Sequence, residues 1–488
     1  MYIFLVTILG LVLRLTFIVK PEGLWNDEYV SWFVASTPFN QGFWQEVLKQ
    51  CHMPLYYLYL KPFAQCSDLV LRLTSVLPSF LAIPIMYLVG KEYSEKCGKF
   101  CAIATAVLPF LIYYAQEVRF YSLVFVLSAL VLLFTIKIIK NPDPKSVILY
   151  SAFSCILIFT HVLGVFYILL TTLLLLYKLK KLSPKWLFII ILSLLALLPF
   201  GLNILKQLPS SQWWGTFSYT NILFLFSDFL SPILTNNVNA PPVFFYKKEV
   251  LFVLLLTVPT LIGFGGIFCR FKKTAGLITI SAIFVLTIAT LALNGKLVFI
   301  TKYVIEILPV LILAISVGFD GSNGKLGKFK EMLFYTFVFI NLFAVFTPYY
   351  PSKAIRSEGH RLPAIILNQI NPNNILYTYY APDRFTRYVK TDSKFYHISK
   401  INRFDYLDNP SAILDNIKPG ESTAIVFLDS VSFIPQNLME EAESKNFPEM
   451  FITFSKIRYS LEKSFATNFK EIYKYKAGSW TVLCGIKK

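Results

Sequence analysis

The chain has 488 residues, 56% of them hydrophobic and only 15% charged, whereas a soluble globular protein carries roughly a quarter charged residues. That deficit, with the long apolar runs, excludes an ordinary soluble domain and points to a multi-pass membrane protein. The formal charge of +18 does not indicate nucleic-acid binding, because the lysines and arginines are spread over short loops and a polar tail.

Apolar runs of roughly 20 residues are long enough to cross a bilayer, and on that criterion the sequence predicts about eleven spans. They lie near Tyr2–Val19, Leu71–Val89, Phe100–Tyr114, Tyr121–Ile139, Val147–His161, Val162–Tyr177, Trp186–Leu205, Val250–Phe268, Ala275–Leu293, Tyr303–Phe319 and Met332–Tyr349. Val147–His161 abuts Val162–Tyr177, so the helix count is least determined there. The first run resembles a signal peptide, but Arg14 interrupts it and no small-x-small cleavage site follows, which favours an uncleaved helix. A charge inside that span is expected to pair within the bundle or to snorkel.

Orientation follows from alternate loops. One set is rich in basic residues: Lys91, Lys96 and Lys99; Lys137, Lys140 and Lys145; Lys178, Lys180, Lys181 and Lys185; Arg270, Lys272 and Lys273; Lys325, Lys328 and Lys330. The other set offers Arg119, Lys296 and Lys302. The basic set is expected in the cytoplasm, which places the loop from Pro21 to Ala64 and everything after Tyr350 outside.

The first outer loop predicts interfacial helices over Tyr29–Ser36 and Leu55–Phe63, the second entered through Pro54. A second long loop, Lys206 to Glu249, is either a flap over a site or a plain connector. Residues 351–488 turn polar and turn-rich, which predicts a small extracytoplasmic α/β domain beside a membrane domain over 1–350. Its expected strands are Ile375–Tyr380, Phe395–Ser399, Thr423–Leu428, Phe451–Phe454 and Trp480–Cys484, with helices over Asp383–Val389 and Leu438–Lys445. It carries no phosphate loop or metal motif and is read as an accessory or acceptor-recognition domain. The seven cysteines show no metal-ligand spacing; Cys51 and Cys66 share the first outer loop, and Cys97 and Cys101 border a span as packing residues.

Candidate chemistry collects at the outer ends of the spans: Asp27, Glu28, His52, Glu117, Arg119, His161, Lys296, Lys302 and Tyr303. Ionisable groups are costly to desolvate near a bilayer and tend to mark function. Asp27 and Glu28 serve equally well as first-turn helix residues favoured by the dipole. For Glu117 and Arg119 the alternative is a local salt bridge that ends two helices, and function is favoured over it because an exposed pair contributes little stability; either histidine can equally be a structural group. Taken together, arginine and lysine suit a lipid phosphate, and a carboxylate suits deprotonation of an acceptor hydroxyl or amine. That combination fits glycosyl transfer from a lipid-phosphate sugar, and a divalent cation held by carboxylate and imidazole is an alternative support for the leaving group.

Three stretches carry a resemblance. Leu24-Trp25-Asn26-Asp27-Glu28, His52-Met53-Pro54-Leu55-Tyr56-Tyr57-Leu58 and Tyr114-Ala115-Gln116-Glu117-Val118-Arg119-Phe120-Tyr121 resemble, in order and placement, the successive motifs of GT-C glycosyltransferases. The branch is that of protein mannosyltransferases and bacterial aminoarabinose transferases. The resemblance covers about the first 350 residues and implies an all-α polytopic fold. It also implies a membrane enzyme that transfers a sugar, with inversion, from a polyprenyl-phosphate donor to an envelope acceptor such as lipid A, a glycan or a protein. Asp27 matches the catalytic acidic position, with Glu28 beside it, and Glu117 the acidic residue of the next outer loop with Arg119 beside it. His52 matches a His-Pro-Pro-Leu motif in which Met53 replaces the first proline. Ile300-Thr301-Lys302-Tyr303-Val304, followed by Leu308-Pro309, resembles the later Arg-Tyr motif that meets lipid phosphate, with Lys302 in place of arginine. Metal use varies within the superfamily and stays open. A transporter or flippase of lipid-linked sugars is the alternative; it calls for polar groups at the bilayer midplane and broken helices, whereas here they gather at one face.

Overall fold

The computed structural model describes residues 1–20, 23–50, 52–179, 202, 225, 229–230, 276–292, 299–320, 324–346, 359–378, 387–397, 411–428, 440, 449–478 and 480–488. The expected spans Trp186–Leu205 and Val250–Phe268, the Lys206–Glu249 loop and the Leu438–Lys445 helix lie largely or wholly outside them, as does most of Asp383–Val389. Cys51 lies outside them too.

The chain forms two compact units: Met1–Ile18 with Val34–Ala354, and Val19–Phe33 with Ile355–Lys488. The first is helical. Its early elements are α1 (Tyr2–Leu15), α2 (Asn26–Ser36, shared with the second unit), α3 (Gln41–Lys49), α4 (Leu55–Leu60), α5 (Asp68–Lys91), α6 (Glu95–Val107) and α7 (Pro109–Ala115). They are followed by α8 (Tyr121–Lys140), α9 (Pro144–Thr160) and α10 (Gly164–Leu179). Later helices run over Gly276–Ala292, Leu308–Phe319 and Gly324–Val345. Among the described residues, Asp68–Lys91, Tyr121–Lys140 and Thr301–Phe319 are long and apolar enough to cross a membrane. The pair α6–α7 joins them if taken as one span bent by 56°.

That bend has a local cause. Leu108 precedes Pro109, whose ring disfavours helical backbone in the residue before it, and Leu108 is extended. A break of this kind leaves carbonyls without helical partners, and Arg14 meets two of them. Its guanidinium donates to the carbonyls of Thr105 at 2.9 Å and Ala106 at 3.1 Å, and to Ser79 Oγ at 2.7 Å. The first-span charge therefore pairs inside the bundle, fully buried, and ties α1 to α5 and α6. Gly90 of α5 permits the close crossing with α6, since an added Cβ there would lie 2.7 Å from both Cys101 Sγ and the Cys97 carbonyl.

Pro144–Thr160 and Gly164–Leu179 are separate helices, so the abutting fifth and sixth runs are both present, parted at His161, whose backbone is extended. Helix α3 was not foreseen; its Asn40 cap accepts from the Gly42 amide at 2.8 Å.

The second unit holds a five-stranded sheet in the order β2-β1-β3-β5-β4, with β1 (Asn374–Tyr377), β2 (Lys394–His397), β3 (Ser422–Leu428), β4 (Phe469–Ala477) and β5 (Trp480–Lys487). β1 runs parallel to β2 and β3, whereas β5 is antiparallel to both β3 and β4. Helix Arg361–Ile370 covers one face through Ala364 and Leu367, and helix Glu449–Asn468 the other through Leu461 and Phe465. Phe451–Phe454 is helical, not a strand: the short Phe-Ile-Thr-Phe run belongs to a longer stretch that buries Ile457, Leu461 and Phe465 at helical spacing.

Candidate active site

In the helical unit the site is built around Phe120, the last residue of the turn between α7 and α8. The turn is tight, with the Arg119 amide donating to the Glu117 carbonyl at 2.7 Å. Ser75 of α5 holds it by donating to the Arg119 carbonyl at 3.3 Å, and the Gln116 side chain reaches back to the carbonyls of Arg14 at 3.0 Å and Thr16. Glu117 and Arg119 are both buried, so they are not the exposed surface pair that the sequence allowed. Charges kept out of water at a helix break need a stronger reason than surface solubility.

Four aromatic or imidazole rings surround Phe120. Their centroid distances from it are 5.3 Å for His52, 6.0 Å for Tyr56, 4.6 Å for Tyr121 and 5.0 Å for His161. His52 is steadied by the Tyr57 hydroxyl, 2.6 Å from Nδ1. Pro54 then opens α4 and carries Tyr56 and Tyr57 into the core, as the Pro54 entry predicts.

Two cations share the next ring. The Arg119 guanidinium lies 5.1 Å from the Phe120 centroid and 5.8 Å from that of Tyr121, and Lys302 Nζ lies 5.5 Å from Tyr121 and 5.6 Å from Tyr303. Each gains a cation–π contact, and together they make a positive patch beside a wall of phenols. Lys302 and Tyr303 sit on a 3-10 segment, Thr301–Ile307, that ends where Pro309 starts a regular helix.

The same segment holds a residue that the motif reading passed over. Glu306 is fully buried, and its Oε1 lies 2.5 Å from His161 Nδ1. His161 is thereby tied to the Lys302 segment on one side and packed against the Phe120 ring on the other. A lone carboxylate in the apolar run Phe299–Phe319, three residues before Pro309, is the sequence sign that marked it. The structure thus gathers His52, Arg119, His161, Lys302 and Tyr303 around one aromatic cluster.

Asp27 and Glu28 belong to the second unit, at the start of α2. The Tyr29 amide bonds the Trp25 carbonyl at 2.8 Å, which makes Trp25 the cap residue and Glu28 the third helical position. Glu28 Oε2 reaches back to accept from the Trp25 amide at 3.2 Å, the return half of a capping box. Glu28 is fully buried in this duty, while Asp27 beside it is half-buried.

Among the described residues, no group of three or more histidine, cysteine, aspartate or glutamate side chains is placed to hold a metal ion. His52 Nδ1 is engaged by the Tyr57 hydroxyl and His161 Nδ1 by Glu306, bonds that fix the orientation of each ring.

No family model matches the sequence, and no curated protein matches it. Solved structures do. ArnT from Cupriavidus metallidurans in the apo state matches with a TM-score of 0.55 at 12% identity, covering 99% of this chain and 97% of that one. The chain has the fold of ArnT. The same protein bound to undecaprenyl phosphate matches with a TM-score of 0.54 at 12% identity, covering 99% of this chain and 98% of that chain. The ArnT likeness covers the residues of both the helical unit and the sheet-containing unit.

Proposed function

We propose that this chain is an inverting membrane glycosyltransferase that moves a sugar from a polyprenyl-phosphate donor to an envelope acceptor. The observation that carries this reading is the pairing of Arg119 and Lys302 on Tyr121 at the motif positions of a chain with the ArnT fold. ArnT from Cupriavidus metallidurans binds undecaprenyl phosphate, and a cationic patch backed by phenols is suited to such a headgroup.

In this reading Arg119 and Lys302 hold the donor phosphate, and Tyr303 adds a phenol donor. The acceptor oxygen or nitrogen attacks the anomeric carbon as the bond from that carbon to the phosphate oxygen breaks, which inverts the centre in one displacement. Asp27 takes the acceptor's proton, and the cations stabilise the charge gathering on the departing prenyl phosphate. Glu28 serves the helix cap, and Glu117 tunes the field beside Arg119. The membrane domain spans the bilayer about eleven times, by the length criterion for apolar helices, with the site and the C-terminal domain outside.

The test uses purified protein in liposomes with a panel of synthetic undecaprenyl-phosphate hexoses and pentoses, tritiated in the sugar, and an envelope lipid, glycan and protein extract. Covalently labelled acceptor of inverted anomeric configuration supports the reading. Donor that crosses the bilayer with no labelled acceptor would instead identify a flippase.

A further inference from the structure

The segment carrying Asp27 folds with the C-terminal unit, not with the helical one: Val19–Phe33 and Ile355–Lys488 form one compact body. Both backbone groups of Leu24 are held there. Its amide donates to the Tyr388 hydroxyl at 2.8 Å, and its carbonyl accepts from the His360 amide at 3.2 Å. The neighbouring Gly23 has φ +81°, and a Cβ there would lie 2.8 Å from Arg361 Cβ and 2.9 Å from Tyr388 Oη. Only glycine lets the chain approach so closely in that left-handed conformation.

The grip continues beyond Asp27. The Tyr29 ring is fully buried, 4.8 Å from the His360 ring and 6.4 Å from that of Tyr388, and the Arg387 guanidinium lies 4.7 Å over Trp32. His360 is itself fixed by the sheet: Nδ1 lies 3.0 Å from the Tyr377 hydroxyl of β1, and its ring 5.3 Å from that of Trp480 on β5. Asp27 is therefore bracketed by Leu24 on one side and Tyr29 on the other, each seated on residues of the α/β domain.

We propose that the C-terminal domain is the positioning scaffold of the Asp27 carboxylate, with Tyr388 and His360 as its positioning residues. This goes beyond an acceptor-recognition role for the domain, and it rests on Asp27 being the base of the proposed transfer. Buried, doubly anchored backbone is what a base needs if its reach to an acceptor is to be reproducible, since a displacement of about 1 Å can cost up to a hundredfold in rate.

Tyr388→Phe removes the hydroxyl and keeps the ring, and His360→Leu removes the link to Tyr377. In full-length protein, each is expected to lower kcat per folded molecule roughly tenfold or more, while the Kd for undecaprenyl phosphate stays near wild type and the thermal midpoint falls only by the loss of one buried hydrogen bond. A second readout does not depend on activity. In an Asp27→Cys background, the maleimide-labelling rate at position 27, followed by peptide mass spectrometry, should change severalfold when Tyr388→Phe is added. An unchanged labelling rate, or kcat and undecaprenyl phosphate binding falling together with the folded fraction, would overturn the proposal. A changed labelling rate in a protein whose wild type transfers no sugar would keep the scaffold and reject the transferase reading.

Discussion

Nδ1 of His161 lies 2.5 Å from Oε1 of Glu306, joining two buried side chains 145 residues apart in the chain. The bond closes a loop of contacts from the Lys302 segment through His161 to Phe120 and back through Tyr121 to Lys302. A buried ionisable group that loses its partner keeps its desolvation cost without the compensating bond. His161→Phe and Glu306→Leu should each destabilise the protein by about 1–3 kcal/mol, and the double variant by clearly less than their sum. Thermal unfolding in detergent checks this, and strictly additive losses would show that the pair is not coupled.

Arg119 and Lys302 should contribute separately to holding the donor. Each charge-assisted bond to phosphate is worth about 1.5–3 kcal/mol, so Arg119→Ala and Lys302→Ala should each weaken undecaprenyl phosphate binding about tenfold or more. Lys302→Arg keeps the charge and should bind within a few-fold of wild type. Calorimetric titration at two salt concentrations tests this; a neutral Lys302→Ala would remove that residue from the phosphate site.

The two adjacent carboxylates should behave differently. Glu28→Gln retains a side chain able to close the capping box, so it should stay folded and transfer at near the normal rate. Glu28→Ala should lose about 0.5–2 kcal/mol of stability with the cap. A transfer rate that collapses in Glu28→Gln, with folding intact, would instead make Glu28 the proton acceptor.

Away from the site, Ser94 caps α6 by accepting from the Cys97 amide at 2.9 Å and donates to Asp320 Oδ2 at 2.6 Å. Ser94→Ala should cost about 1 kcal/mol or somewhat more, read as a lower thermal midpoint with donor affinity unchanged. No shift in midpoint would mean that water replaces the cap.

Much of this was legible in the chain because apolar length and turn residues act locally. Asp68–Lys91 and Tyr121–Lys140 follow their hydrophobic runs closely, and the Pro54 entry to α4 is where proline chemistry puts it. The parts that escaped depend on distant partners. The break at Leu108 lies inside a run that reads as one span, and only Pro109 hints at it. β4 was missed because Lys470, Lys474 and Lys476 with Tyr473 and Tyr475 give an exposed edge strand no apolar face to reveal it. Glu306 was hidden by its apolar neighbours, although its charge is the feature that needed explaining. The attachment of the Asp27 segment to His360 and Tyr388 spans more than 300 residues of sequence, and no local pattern encodes a contact of that kind.

The most direct measurement compares single-turnover sugar transfer by wild type and Asp27→Asn in proteoliposomes loaded with tritiated undecaprenyl-phosphate sugar, after undecaprenyl phosphate binding by both has been confirmed. A general base is worth about a hundred- to ten-thousandfold, so Asp27→Asn should bind normally and transfer at least a hundredfold more slowly. Equal transfer rates at equal binding would contradict the account.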